Sequence, residues 1–327
     1  MADRKRLLCF LTALTLLLLC GCGSPESIAQ ASTPLGLGLF SKKNTTPEPE
    51  PVQQQEVRGP YVAPPFADAA YHAGLAEGTA DARIDLSAVA EGYVAVSAVA
   101  ANRLKFQVVK DDVVYNYDIA SDGTPSIFPL QSGNGTYRFR VMENVVDSKY
   151  AENYSATCEV TLLDEFQPFL RPNDYVPYTS DSLCVKKAQE LAATAGNELG
   201  LVNAVFRFVC DNVTYDREKA MAVTSGYMPK PDETMQTGKG ICFDYAALAG
   251  AMLRSQGVPT KEIFGYVAPD GVYHAWNMFY TEQTGWVTVS YEVRADSWNR
   301  LDLTFSANGA DNSFIGNGSN YSDLYFY

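Results

Sequence analysis

A change of hydrophobic period near residue 180 constrains this chain more than any other feature. Before it, Leu104-Lys105-Phe106-Gln107-Val108-Val109 and Thr136-Tyr137-Arg138-Phe139-Arg140-Val141 place alternate side chains on one face. The clusters Ser121-Asp122-Gly123 and Ser132-Gly133-Asn134-Gly135 punctuate these stretches as turns. After it the spacing is helical: Val185, Ala188, Leu191, Ala192 and Ala195 share a face closed by Gly196, and Val202, Val205, Phe206 and Val209 share a second. An alternating pattern does not suit a helix, nor a 3.6 pattern a strand. The chain therefore divides into an all-β portion and a later portion that mixes helices with strands.

The 327 residues are 46% hydrophobic and 19% charged, enough apolar content to bury a core, and the length suggests about two domains. Short strands with frequent turns make residues 66–168 a β-sandwich of immunoglobulin-like type. Its His72 has no Cys, second His or carboxylate cluster at ligand spacing and reads as structural. Phe166-Gln167-Pro168-Phe169-Leu170-Arg171-Pro172 is a Pro-punctuated linker into a second domain, residues 169–327.

Charge excludes some partners. The 25 Lys and Arg against 38 Asp and Glu give a net charge of −13, with no overall basic footprint for nucleic acid or anionic lipid. The N-terminus reads as a secretory signal: Arg4, Lys5 and Arg6, then an apolar run from Leu7 to Cys20 too short to favour a membrane span. The run ends Leu19-Cys20-Gly21-Cys22, which resembles the lipobox of bacterial lipoproteins. That resemblance implies that residues 1–21 are removed and that Cys22 is acylated. The protein would then be exported, lipid-anchored to the membrane and facing the exterior. Losing three cations and one acid leaves the mature chain at −15, so lipid rather than charge would hold it. Residues 22–65, with Thr45-Thr46-Pro47-Glu48-Pro49-Glu50-Pro51 and Gln53-Gln54-Gln55, read as a disordered tether.

Four cysteines fall beyond the tether: Cys158, Cys184, Cys210 and Cys242. None forms a CxxC pair, and neither HExxH nor an EF-hand loop occurs, so no metal or cofactor is expected. Disulfide pairing is open at this level. The segment that carries chemistry is Gly238-Lys239-Gly240-Ile241-Cys242-Phe243-Asp244-Tyr245, a Gly-rich turn opening a helix closed by Gly257 and Pro259, with Ala249, Met252 and Leu253 on its packed face. In a first turn, unpaired N–H groups and the helix dipole favour thiolate over thiol, and the glycines leave room for a substrate backbone. Asp244 opposes a thiolate unless it caps N–H groups instead. Residues 262–267 and 272–280 read as strands around the turn Pro269-Asp270-Gly271. Alternation places His274, Trp276, Met278 and Tyr280 on one face. His274, thirty-two residues after Cys242, suits a Cys–His relay, and Asp302 is the candidate acceptor that fixes the imidazole.

Gly-Lys-Gly-Ile-Cys followed by Asp-Tyr-Ala, then Leu253-Arg254-Ser255-Gln256-Gly257-Val258-Pro259, Gly265-Tyr266 and His274-Ala275-Trp276-Asn277 resemble the transglutaminase-like superfamily over residues 180–305. The resemblance implies a papain-like α+β fold, with the nucleophile's helix packed on an antiparallel sheet. It also implies Cys242 as nucleophile, His274 as general base and Asp302 as the orienting acid. The pattern departs from the family at Ser290, where an acid commonly follows Trp286-Val287-Thr288-Val289. Residues 290–297 then read as an insertion before Trp298-Asn299-Arg300-Leu301-Asp302, with Glu292 as the other candidate acid. The expected reaction is thiolate attack on an amide or peptide carbonyl, giving a thioester resolved by an amine or by water. The expected partner is a protein or peptide, such as a cell-wall peptide. The Cys242 N–H is the expected oxyanion donor, with Trp276 or Gln236 adding contacts. A reading from another class makes the chain a non-catalytic surface module, with the β-domain binding a ligand and a degenerate transglutaminase-like scaffold behind it. In a third, the N-terminal segment or the β-domain covers the cleft.

Overall fold

The computed structural model describes residues 60–267, 272–288 and 321–327. Eight strands come first: β1 (Glu77–Gly78), β2 (Ala82–Asp85), β3 (Tyr93–Ala98), β4 (Leu104–Lys110), β5 (Val113–Ile119), β6 (Ser126–Pro129), β7 (Gly135–Val146) and β8 (Lys149–Val160). They form two antiparallel sheets in the orders β1-β2-β3-β6 and β5-β4-β7-β8. The alternation read from sequence is the burial pattern observed. Leu104, Phe106 and Val108 on β4 and Tyr137, Phe139 and Val141 on β7 are buried, and they share one apolar core with Ile84, Val94 and Val96 of the other sheet. His72 is structural, as its isolation suggested: its Nδ1 lies 3.1 Å from Oδ2 of the buried Asp85.

Residues 166–170 make a 3₁₀ turn around Gln167–Phe169. Phe166 packs on Tyr280 and Trp286, and Phe169 on Trp286 and Phe326, so the linker is held by aromatic contacts at both ends.

Helices α1 (Leu183–Ala192) and α2 (Glu198–Asn212) follow, with the predicted faces buried except for the half-buried Leu191. The first ends before Gly196, at Ala192. Asp232 caps α1 by accepting from the Leu183 and Cys184 N–H groups, and Asn197 Oδ1 caps α2 by accepting from Gly200 N–H. Next come β9 (Thr214–Tyr215), α3 (Arg217–Ala222), α4 (Pro231–Thr237), β10 (Lys239–Gly240) and α5 (Cys242–Arg254). The sheet β13-β12-β11-β14 closes the fold, built from β11 (Thr260–Val267), β12 (Val272–Thr281), β13 (Gly285–Thr288) and β14 (Tyr321–Phe326), all antiparallel.

The position of α5 departs from the sequence expectation. It is not amphipathic: every residue from Asp244 to Arg254 is buried, because α1, α2 and α4 cover it on one side and β11 and β12 on the other. Its run of small residues, Ala246, Ala247, Ala249, Gly250 and Ala251, lets both layers approach closely. A Cβ on Gly250 would lie 3.2 Å from Val176 and 3.7 Å from Asn277 Nδ2. Arg254 is buried as a cation and spends its donors on main-chain carbonyls: Thr260 O at 2.7 Å, Arg171 O at 3.1 Å and Tyr327 O at 2.6 Å. Tyr327 in turn stacks on Tyr175, with centroids 4.0 Å apart, and both join the β-sheet core through Tyr117. The β part and the α+β part thus share packing within one compact unit.

Residues 61–66 strap the far end of α5. Tyr61 donates its N–H to Ala195 O and its hydroxyl to Gln256 O, each at 2.7 Å. The Pro64 ring fills the space beside Gly257, whose φ of +82° no other residue adopts readily.

Among the described residues no helix is long and apolar enough to cross a membrane, and no cluster of three or more His, Cys, Asp or Glu could hold a metal ion. The four cysteines from Cys158 to Cys242 are all free thiols.

Candidate active site

Cys242 is the first residue of α5 and is half-buried. Its approach is set by two glycines whose role differs from the room for substrate read in the sequence. Gly238, at φ +63°, ends α4 with its N–H on Thr234 O. Gly240 lies against α5: a Cβ there would sit 2.7 Å from the Asp244 Cβ, so this space already belongs to Asp244. Parallel pairing of β9 with β10 fixes the same turn from its other side.

Asp244 does not oppose the thiol. Its carboxylate is fully buried and caps the helix, with Oδ2 accepting the Ile241 N–H at 2.8 Å. Oδ2 also pairs with Lys219 Nζ at 2.7 Å, and Oδ1 accepts the Tyr227 hydroxyl at 2.5 Å. The Lys219 ammonium lies 4.6 Å from the Tyr227 ring centre. Burial and the hydrogen bond to Asp244 push the Tyr227 phenol up to about 12. Burial alone would lower Lys219, but its hydrogen bonds to Asp244 and Tyr227 outweigh that and hold it above its ordinary value. Sequence reasoning gave no role to Lys219 or Tyr227. Asp216, which caps α3 by accepting from the Lys219 N–H, was the local signal that a helix places Lys219 there.

Two phenols lie within electrostatic reach of the thiol. Burial and the neighbouring Cys242 raise Tyr215. Burial raises Tyr273, with Tyr325, Tyr266 and Cys242 adding to it.

His274 lies buried on β12 opposite Gly265 of β11. Its ring stacks on Trp276 with centroids 6.3 Å apart. Two contacts orient α5 along β12. At the helix C-terminus Arg254 reaches Thr260, which stands opposite Phe279. At its N-terminus Phe243 packs edge-on to Phe264, which stands opposite Ala275. Cys242 and His274 therefore lie at the same end of the helix–sheet contact. Asn277 Nδ2, donating to Ala246 O at 3.1 Å, fixes that register one turn into the helix. The side of β12 that meets α5 carries Ala275, Asn277 and Phe279, and alternation turns His274 to the other side with Trp276 and Met278. Among the described residues β13 flanks β12 only from Met278 to Thr281. Gln236 is exposed on α4 and Trp276 is buried on the His274 side. Asp302, Glu292, Ser290 and the lipidation candidate Cys22 lie outside the described residues.

Residues 185–291 match the family model of the transglutaminase-like superfamily, so the α+β part has a transglutaminase-like core. The matched stretch includes Cys242, His274 and Ser290, and Asp302 lies beyond it. Among curated proteins, MJ1282 of Methanocaldococcus jannaschii is 26% identical over 98 residues, 28% of this chain and 27% of that protein. The match thus spans about a quarter of the archaeal protein's length. Among solved structures, a candidate cysteine protease from Cytophaga hutchinsonii is 16% identical with a TM-score of 0.37, covering 77% of this chain and 73% of that one. Legionella pneumophila LapG is 17% identical with a TM-score of 0.27, covering 44% and 81%. Red sea bream transglutaminase is 14% identical with a TM-score of 0.26, covering 60% and 47%.

Proposed function

We propose that the chain is a cysteine acyltransferase or amidase, with Cys242 as nucleophile, His274 as general base and Asp302 as the acid that orients the imidazole. The observation that carries the reading is the first turn of α5. Cys242 opens a helix that is buried on every side from Asp244 onward, and the Asp244 carboxylate two residues on is turned inward and paired with Lys219. The helix dipole then acts on the thiol without opposition from Asp244. In this reading His274, at the same end of the helix–sheet contact as Cys242, takes the thiol proton, and sulfur attacks an amide carbonyl. The C–N bond breaks as imidazolium returns its proton to the departing amine, leaving a thioester. Water or a second amine then releases the acyl group, giving hydrolysis or cross-linking.

The eight-stranded part is read as an immunoglobulin-like sandwich. The order β5-β4-β7-β8 beside β2-β3-β6 supports this, as does Tyr137, whose hydroxyl donates to Gly133 O at 2.7 Å in the manner of a tyrosine corner. Export with Cys22 acylated completes the proposal.

Ser290, at the position where the family commonly has its acid, favours a second reading: a surface module without catalysis. One experiment separates the two. Wild type and Cys242→Ala are incubated with a peptide library and a labelled primary amine, and cleavage and amine incorporation are scored by mass spectrometry. Products from wild type and none from the variant are expected; no product from either supports the module.

A further inference from the structure

We propose that the Glu262 carboxyl keeps its proton and donates it to Asn277 Oδ1, which makes Glu262 a positioning residue for the Cys242 end of α5. Glu262 is wholly buried on β11, and neither of its oxygens has a hydrogen-bond partner among the described residues. Asn277 is buried opposite it, and its Oδ1 also lacks one. Orphaned buried acceptors of this kind are costly and uncommon, so two in register call for one explanation.

Backbone geometry brings the two side chains together. The Glu262 N–H donates to Tyr327 O at 2.9 Å, and Tyr327 N–H donates to Glu262 O at 2.8 Å. Both main-chain bonds of Glu262 therefore point toward β14. Toward β12 it forms a non-hydrogen-bonded pair with Asn277, the arrangement in which side chains stand closest. The orientation of the Asn277 amide is fixed by its other contacts, since Nδ2 donates to Ala246 O at 3.1 Å and Lys261 O at 3.5 Å. Reversing the amide would set oxygen against oxygen. Asn277 Oδ1 thus needs a donor, and a carboxylate at Glu262 has none to offer.

The surroundings favour the proton. Facing Glu262 are Arg254, Cys242 and Asp244 from α5, and it acts in turn on Tyr175. Burial dominates and pushes the carboxyl well above its ordinary range; Arg254 opposes this, while Cys242 and Asp244 add to it. The Arg254 guanidinium is committed to its three carbonyls, and no ion pair joins it to Glu262 among the described residues. The hydrogen bond from Glu262 then holds Asn277, Asn277 holds the Ala246 carbonyl, and the first turn of α5 stays in register with the strand that carries His274. The meaning of this for catalysis rests on the proposed nucleophile; the pair itself does not.

The test uses the full chain with Glu262→Gln and Glu262→Met, read by hydrogen exchange and by iodoacetamide alkylation of Cys242. Gln keeps a donor of the same shape, so exchange over residues 242–248 is expected within about twofold of wild type. Met removes the donor but fills the space, so the protein folds with an unchanged or raised unfolding midpoint, while exchange over 242–248 is about tenfold faster. Equal exchange in Gln and Met variants, or no acceleration in Met, overturns the assignment. Alkylation separates this from the catalytic reading: the exchange pattern decides the Glu262–Asn277 pair, whereas a slow Cys242 in wild type counts against the nucleophile alone.

Discussion

Replacing Lys219 by Met removes the counter-charge of Asp244 and leaves a fully buried carboxylate with two hydrogen-bond donors, Ile241 N–H and Tyr227 hydroxyl. Removing one partner of a fully buried ion pair costs ~3–5 kcal/mol, and an exposed pair contributes ~0–1 kcal/mol. The Lys219 side chain is 29% exposed and Asp244 is not exposed at all, so water relieves part of the loss. The expected destabilisation is about 2 kcal/mol, read as a shifted urea midpoint with unchanged slope, or a fall in Tm of about 4–8 °C. The pH dependence carries a second signature. Lys219 is held above its ordinary 10.5, so its contribution is complete below that pH and is lost as pH rises through the folded value. Tyr227, pushed from 10.0 to about 12, likewise stabilises the fold below pH 10 and loses that contribution as pH rises toward 12. Wild type should therefore weaken above pH 10, and Lys219→Met should weaken less over the same window. A variant within 0.5 kcal/mol of wild type, a bound of about the size expected for an inert surface change, or one with an equally steep alkaline loss, would refute this account of the helix start.

Three further outcomes follow from the same packing. Gly240→Ala forces a Cβ to 2.7 Å from that of Asp244 and 3.2 Å from Thr234 Cγ2, and should loosen the Ile241–Asp244 cap at a cost of about 2 kcal/mol, measured by chemical denaturation. Arg254→Met takes the guanidinium donor from three carbonyls, of which Tyr327 O keeps the Glu262 N–H, and should cost about 2 kcal/mol in the same assay. Glu262→Gln should be the more stable protein at pH 7 and equal to wild type below about pH 4. A raised carboxyl value stabilises the fold fully only below the unfolded value of 4.5 and loses that contribution as pH rises, and thermal melts across pH 4–8 would show the two curves diverging.

Much of the framework was legible because periodicity reports burial. The alternation at Phe106 and Phe139, the helical faces through Val185 and Val205, and the strands on either side of residue 270 appear as read. What was not legible depends on partners distant in sequence. Strand β14 joins β11 across a long intervening segment, and no local pattern announces which strand Tyr321–Phe326 will meet. Helix α5 looked one-faced because Ala and Gly have no strong polarity; only a second layer over it shows that all sides are packed. At the site, Cys242 at a helix start and His274 on a strand were both readable from turn chemistry and alternation. The Lys219–Asp244–Tyr227 cluster was not: Asp216 marks only a six-residue helix at Lys219, too short to show a period, and Tyr227 follows it outside any helix or strand. Glu262 was hidden for the opposite reason: in an alternating strand it reads as a solvent-facing position, yet β12 and α5 bury it.

Parallel alkylation of all the free cysteines tests most directly whether Cys242 is an activated thiol. Iodoacetamide labelling at neutral pH, followed peptide by peptide in wild type and His274→Ala, compares Cys242 with Cys158, which burial and Glu159 push up, and with Cys184, which burial and Asp232 push up. In wild type Cys242 should react at least about tenfold faster than either, and His274→Ala should remove most of that advantage. Equal labelling of Cys242 and Cys158, unaltered by His274→Ala, would contradict that activation.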